Sequence, residues 1–449
     1  MFKLLKMAKV TYWSVRDVFK VVWITLLMVW IRIWKTPART HGTVIRGDRL
    51  RVCIVSEYYY PSLGGITEHV YNFAKRLLMR GHQVTLVTSN AGDPKGRGEL
   101  EGMRIFRVGR SKEIYSNGSI ARLTFGWRLH REIEKIFREN DFDIVHIHSP
   151  ITPSLPFIVQ KYIRCPAVGT YHTDFEKSAA LSFWRGLAQW QLDKIDGIAA
   201  VSPISILSMG RYLDGRGKVR LIPNGVDTEW FHPRPVRLAH LDDGRPNILY
   251  IGRFDPRNGF STMIKAFAIV KKTITDARLV VIGYGPLQRY YLSKIPRELE
   301  KDIVFVGKTD LERPQYYASA DVICVPARKA ACSVAILEAL ASKTPIVASG
   351  IDGFKWIIQH EKDALLVPDL EPASYAEAII RILRDQELRD RIAANGFEKA
   401  KTMDWKVITE DVLSMYYDLL DAENPEEIRE EVVIPLVNRR DRRIQLQLN

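Results

Sequence analysis

The chain has 449 residues, room for two domains of ordinary size with a tail at each end. Its 46% hydrophobic content excludes a globally disordered chain, and Cys53, Cys165, Cys324 and Cys332 are too few and too scattered for a disulfide scaffold or a zinc site. A formal charge of +14 implies an anionic partner or surface such as lipid headgroups or phosphates; nucleic acid lacks an accompanying motif. The cysteines read as free thiols of a reducing compartment.

Residues 1–45 differ from the rest. The apolar run Val21–Ile31 is bounded by Lys20 and Arg32, too short to cross a bilayer, which needs about twenty residues. Lys3, Lys6, Lys9, Arg16 and Lys20 precede it, and Trp13, Trp23, Trp30 and Trp34 suit a headgroup boundary. The expectation is an interfacial helical extension on an anionic membrane at the cytoplasmic face; packing on protein or an uncleaved signal anchor are the alternatives.

From Arg51 the pattern is α/β. Val52–Val55 is a short apolar run of a buried strand. The loop through Gly64-Gly65 leads to a helix with Thr67 as its expected N-cap, and Val70, Phe73, Ala74, Leu77 and Leu78 form one apolar face. Gly81 ends the helix and Val84–Thr88 is the next strand, so the unit is βαβ in a parallel sheet. Strand-like runs recur at Ile144–His148 and Ile198–Ser202. The turn-rich stretch between Arg234 and Pro246 is the domain boundary, giving domains over 50–235 and 246–400. A second alternation then starts at Ile248, with strands at Leu279–Ile282, Ile303–Val306, Val322–Val325 and Ile346–Ala348. Residues 401–420, opened by Asp404-Trp405, form a crossover helix returning to the first domain, and 421–449 a charged tail.

The chemistry-bearing residues fall at strand ends. In Asp143–His148, alternation puts His146 and His148 on one side, with His148 nearer the carboxyl end, where open α/β sheets bind ligands. His148 is the cleft candidate and His146 a core residue; His172, in Tyr171-His172-Thr173, is either an acceptor contact or a satisfied structural histidine. Asn224-Gly225 suits a turn with positive φ and receives no chemical role. Gly252-Arg253 opens a loop running to Asn258-Gly259 that can grip phosphate. Gly283 and Gly285 form a Gly-x-Gly turn without the third glycine of a dinucleotide fingerprint. Ser333 is the expected N-cap of a helix carrying Glu338, and a helix N-terminus after a strand is a natural anion site.

Taken in order, these motifs resemble the retaining family-4 glycosyltransferases of GT-B fold, over roughly residues 50–420. The resemblance implies two facing Rossmann-like domains, the first for the acceptor and the second for a nucleotide sugar. Gly64, Gly65, His148 and His172 match the acceptor side. Gly252, Arg253, Asn258, Gly283, Gly285, Val306, Gly307, Cys332, Ser333, Val334 and Glu338 match the donor side, with Glu338 on the donor ribose. Catalytic roles fall to Arg253, which stabilises the leaving diphosphate, to His148, and to the position of Ala330, where the family carries a glutamate. Asn258 stands where the family usually has a lysine, and Lys355-Trp356 where it often has Pro-Glu. No metal and no cofactor are implied. The start Tyr58–His69 is most similar to the lipid-directed members, such as phosphatidylinositol glycosyltransferases. The implied function is sugar transfer from a nucleotide-diphosphate donor, such as a UDP- or GDP-sugar, to a phosphoinositol-type or polyprenol-type membrane lipid. The three departures keep open a non-catalytic or deliberately inactivated relative that binds lipid or a partner enzyme.

Overall fold

The computed structural model describes residues 49–421 except 93–97, 117–118, 175–178, 216–218, 235–236 and 286. The extension over 1–45 and the tail after 421 lie outside the described residues. Among the described residues, no helix is long and apolar enough to cross a membrane.

Two parallel sheets carry the molecule. The first joins β1 (Arg51–Ser56), β2 (Gln83–Ser89), β3 (Arg104–Val108), β6 (Ile144–His148), β7 (Ala167–Tyr171), β8 (Gly197–Ala200) and β9 (Val219–Leu221). Their spatial order is β3-β2-β1-β6-β7-β8-β9, with Val52 paired to Val84 on one side and to Ile144 on the other. The second joins β10 (Asn247–Ile251), β11 (Arg278–Ile282), β12 (Ile303–Gly307), β13 (Val322–Val325), β14 (Ile346–Ser349) and β15 (Leu365–Val367), in the order β12-β11-β10-β13-β14-β15. This is the α/β, doubly wound architecture expected from the alternation. Central strands are apolar throughout because both faces are covered; Val52 to Val55 are wholly buried.

An antiparallel pair, β4 (Arg110–Ser116) with β5 (Ser119–Phe125), departs from the α/β pattern. The dipeptide Asn117-Gly118 between two strand-forming runs was its sequence signal.

Helix α1 (Gly65–Met79) buries Val70, Phe73, Ala74 and Leu77. It starts three residues earlier than expected, with Gly64 at the N-cap position, and has no side-chain cap. Thr67 is inside its first turn, and its Oγ1 donates to the Ser62 carbonyl at 2.6 Å. Helix α6 (Trp405–Asp421) packs on α1 and β8, with Trp405 and Tyr416 buried against the first sheet. Gly197 leaves room for it, since a Cβ there would lie 2.5 Å from Met415 Cε. The Asn224-Gly225 turn has no positive φ; Gly225 is needed instead because a Cβ would come 2.7 Å from the Trp405 ring.

Glu57, directly after β1, is buried and accepts hydrogen bonds from Ser154 Oγ, Thr124 Oγ1 and the Leu155 amide. Burial raises its carboxyl to about 7, against the opposing hydrogen bonds. A raised folded-state value favours the folded chain at low pH, so this contribution is present below about 4.5 and lost as pH climbs through 7. Glu57→Gln should therefore remove up to about 3 kcal/mol of pH-dependent destabilisation between those limits, read as urea midpoints at pH 5 and pH 8.

Candidate functional site

Both sheets reverse winding direction at a central strand pair, β1/β6 in the first and β10/β13 in the second. Open α/β sheets bind ligands outside the carboxyl ends of strands at such points. A cleft of about 350 Å³ lies there, lined by residues following β1, β7, β8 and β9 on one side and β10, β11, β12 and β13 on the other. That volume suits a small-molecule ligand.

On the first wall are Gly64, Gly65 and His172. Gly65 faces the opposite wall closely: a Cβ there would meet Val334 Cγ2 at 3.3 Å. His148 is buried behind His172, its Nδ1 paired with His172 Nε2 at 2.9 Å, and does not line the cleft. His146 lies deeper, between Tyr416 Oη and Thr170 Oγ1, each at 2.5 Å. His69 on α1 joins the group, so four imidazoles stack and abut from the core to the cleft.

Burial drives all four toward neutrality: His69 falls to about 4, His146 to about 3, and His148 and His172 fall well below the usual range. A depressed folded-state value gives stability present above about 6.5 and lost as pH falls toward 4. This opposes Glu57 over the same interval, so Glu57→Gln should steepen the acid loss of stability, and His146→Gln should flatten it. Unfolding midpoints from pH 4 to 7 check both.

The second wall is built from glycine turns and two helix starts. Gly252, Arg253, Asn258, Gly283 and Gly307 line it, whereas Gly285 and Val306 lie outside the lining. Gly285 supports the wall from behind, where a Cβ would press within 3.0 Å of the Phe254 backbone. Arg253 is partly exposed at the cleft, 4.0 Å from Asp255. Asn258 turns back into its own loop, its Nδ2 donating to the Arg253 carbonyl at 3.0 Å, so no second cation stands at that position.

Helix α5 (Val334–Ala341) starts at Ser333, whose Oγ accepts from the Ile336 amide, the cap expected from sequence. Ala330, Cys332, Ser333, Val334 and Glu338 all line the cleft. Ala330 and Trp356 both pack against one hydrophobic cluster, so apolar contacts occupy the region where the resemblance places two acids.

Glu338 is buried and accepts from Tyr317 Oη at 2.8 Å. Its partner cation, absent from the sequence reading, is Arg313 on α4 (Arg313–Ser319). Arg313 Nη2 lies 2.9 Å from Glu338 Oε1 and 3.2 Å from Glu68 Oε2 on α1, so one guanidinium ties the two walls. Burial alone would push Arg313 down, but the two carboxylates beside it raise it. Further bridges run from Tyr284 Oη to the Leu63 carbonyl at 3.0 Å and from Lys308 Nζ to the Pro61 carbonyl at 2.6 Å.

Asn224, read from sequence as a turn residue only, also links the walls. Its Oδ1 is 2.8 Å from His69 Nδ1, and its side chain hydrogen-bonds Cys332. Burial pushes the Cys332 thiol up to about 12, opposed by the hydrogen bonds from Asn224 and Ser333. Among the described residues all four cysteines are unbridged.

Comparison with known proteins places this architecture. Residues 63–230 match the family model described as Glycosyltransferase Family 4, and residues 238–399 that of Glycosyl transferases group 1. The chain is 31% identical over 378 residues to phosphatidyl-myo-inositol mannosyltransferase of Mycobacterium tuberculosis, covering 82% of this chain and 96% of that one. It is 25% identical to D-inositol 3-phosphate glycosyltransferase of Corynebacterium glutamicum, over 84% and 98%. Among solved structures, sucrose-phosphate synthase from Thermosynechococcus elongatus superposes with a TM-score of 0.67 at 23% identity, covering 83% of this chain and 99% of that one. HepE of Anabaena, in complex with UDP and glucose, gives 0.67 at 16% identity, over 82% and 100%.

Proposed function

The chain belongs to glycosyltransferase family 4, and from that premise we propose that it moves a sugar from a nucleotide-diphosphate donor to a phosphoinositol-type or polyprenol-type lipid, with retention, at a membrane surface. Enzymes of this family use nucleotide-sugar donors without a required cofactor. The observation that carries the reading is the cleft itself, in which a cation, a capped helix start and a buried carboxylate face the glycine pair Gly64-Gly65 and His172. The lipid assignment is supported by the mannosyltransferase relative, and the basic, Trp-rich extension agrees with it.

In this reading the donor lies on the second wall. Arg253 and the amides at the start of α5 neutralise the diphosphate as it leaves, work that falls more heavily on Arg253 because Asn258 is neutral. Glu338 accepts the ribose hydroxyls, and the backbone at Gly307, directly after Val306, meets the base. The turns at Gly252 and Gly283 let backbone approach the donor closely, and Gly285 supports them from behind. The acceptor enters over Gly64, Gly65 and His172, with His148 setting the orientation of His172 through their shared hydrogen bond. Because Ala330 offers no carboxylate to the transferred sugar, its orientation comes from the backbone of the 330–333 loop. Closure of the walls around both substrates expels water and limits hydrolysis.

The test is a panel of labelled UDP- and GDP-sugars offered with vesicles containing phosphatidylinositol or polyprenyl phosphate. One donor should label one lipid, and the product linkage should keep the donor's anomeric configuration. Transfer only to soluble sugars or an inverted linkage contradicts the proposal.

A further inference from the structure

We propose that His69, His148 and His172 form a binding site for one divalent transition-metal ion of the zinc class on the acceptor wall of the cleft, where the ion excludes the acceptor. Exclusion of the acceptor rests on the function proposed above; metal binding does not.

One ring nitrogen from each of the three histidines lies within 4.8 Å of the others. The tautomer of His69 follows from its neighbour. Asn224 presents Oδ1 to His69 Nδ1, so Nδ1 carries the proton and Nε2 a bare lone pair. That Nε2 is buried without a hydrogen-bond partner, and so is Nε2 of His148. Two unpartnered buried nitrogens in one cluster are unfavourable, each by about 1–3 kcal/mol, and a cation between them relieves both when His148 carries its proton on Nδ1.

The surroundings are those of a metal site. A ligating histidine typically donates its other N–H to a fixed oxygen, the role Asn224 Oδ1 has toward His69. The ring of His69 packs edge-on to Trp405 at 4.8 Å, holding its orientation. Burial keeps the imidazoles uncharged at neutral pH, so no proton competes for the lone pairs. Three nitrogen donors without a carboxylate among them favour zinc-class ions over magnesium or calcium.

Tetrahedral coordination at about 2.0–2.1 Å needs ligand nitrogens about 3.4 Å apart, so the cluster must draw in by roughly an ångström. His172 can supply that movement. It is only half-buried, at the open end of β7, and gives up its hydrogen bond with His148. The fourth position then faces the cleft, where water or an acceptor oxygen would otherwise stand.

The test uses the full chain after chelator treatment. Cobalt(II) is the probe: it should give tetrahedral absorption bands in the visible that saturate at one ion per chain and vanish when zinc is added. His69→Gln and His172→Gln should each weaken zinc binding at least about 10–100-fold, with nucleotide binding retained as the check of folding. Should a variant fail to fold, X-ray absorption of the zinc-loaded unaltered chain reads the ligands directly, and three imidazole nitrogens are expected. Zinc should also raise the KM for lipid acceptor without lowering kcat; if the transfer reading is wrong, this arm alone fails while the spectra stand. Absence of saturable binding, fewer than three imidazole ligands or any thiolate ligand in the absorption spectrum, or zinc affinity unchanged in both variants would overturn the site.

Discussion

Arg313→Ala is expected to destabilise the chain by about 3–5 kcal/mol, the range for removing one partner of a buried ionic group. The guanidinium is held between Glu68 and Glu338, and Trp230 and Phe231 cover it, each ring centroid 5.4 Å away. Without it, two carboxylates from helices on opposite walls face one another out of water, so the cleft should open or take up a proton. Glu68→Gln combined with Arg313→Met removes the cation and one of its two carboxylates, leaving Glu338 with its Tyr317 hydrogen bond, and should recover part of the loss. Urea unfolding of both variants measures this, with small-angle scattering reporting any opening. A single variant within about 0.5 kcal/mol of the parent would show that the guanidinium does not hold the walls together.

Arg253→Ala should lower kcat/KM by about 10²–10³-fold, the loss typical of deleting one preorganised group aimed at developing charge. The effect is placed high in that range because Asn258 supplies no second charge and is hydrogen-bonded into its own loop. Asn258→Lys should act in the opposite direction, raising affinity for the donor diphosphate. Kinetics with a labelled donor separate the two: the first change falls mainly on kcat, the second mainly on the donor KM. An Arg253→Ala enzyme with unaltered kcat would remove Arg253 from the reaction.

The fold was legible because its signals are local. Val52–Val55, Val84–Thr88 and Leu279–Ile282 are short apolar runs, and α1 shows an apolar stripe; neither needs tertiary information. The missed β4–β5 pair also had a local signal, Asn117-Gly118, but it was hidden by the expectation of strict α/β alternation. Site residues such as Gly64, Arg253 and Glu338 were found through motif resemblance, and the structure brings them to one cleft.

What sequence could not supply was pairing over distance. Arg313 lies 25 residues before Glu338 and far from Glu68, in a segment with no motif, so nothing local tied it to either. Asn224 has the appearance of a turn residue, and only tertiary packing places its amide between His69 and Cys332. His148 was correctly put at a strand end near the cleft, but alternation cannot tell a lining side chain from one screened by a neighbouring strand, which is how His172 covers it. Thr67 failed as a cap because the glycine pair lets the helix begin at Gly65.

The central claim is that this chain transfers sugar although Ala330 stands where the motif resemblance implies an acid. The most direct measurement is transfer of label from UDP- and GDP-sugars into organic-extractable lipid by the chain and by its Ala330→Glu variant. The account predicts measurable transfer by the unaltered chain, with the variant changing donor KM and rate but not the lipid labelled. Nucleotide binding without transfer by either protein would contradict it.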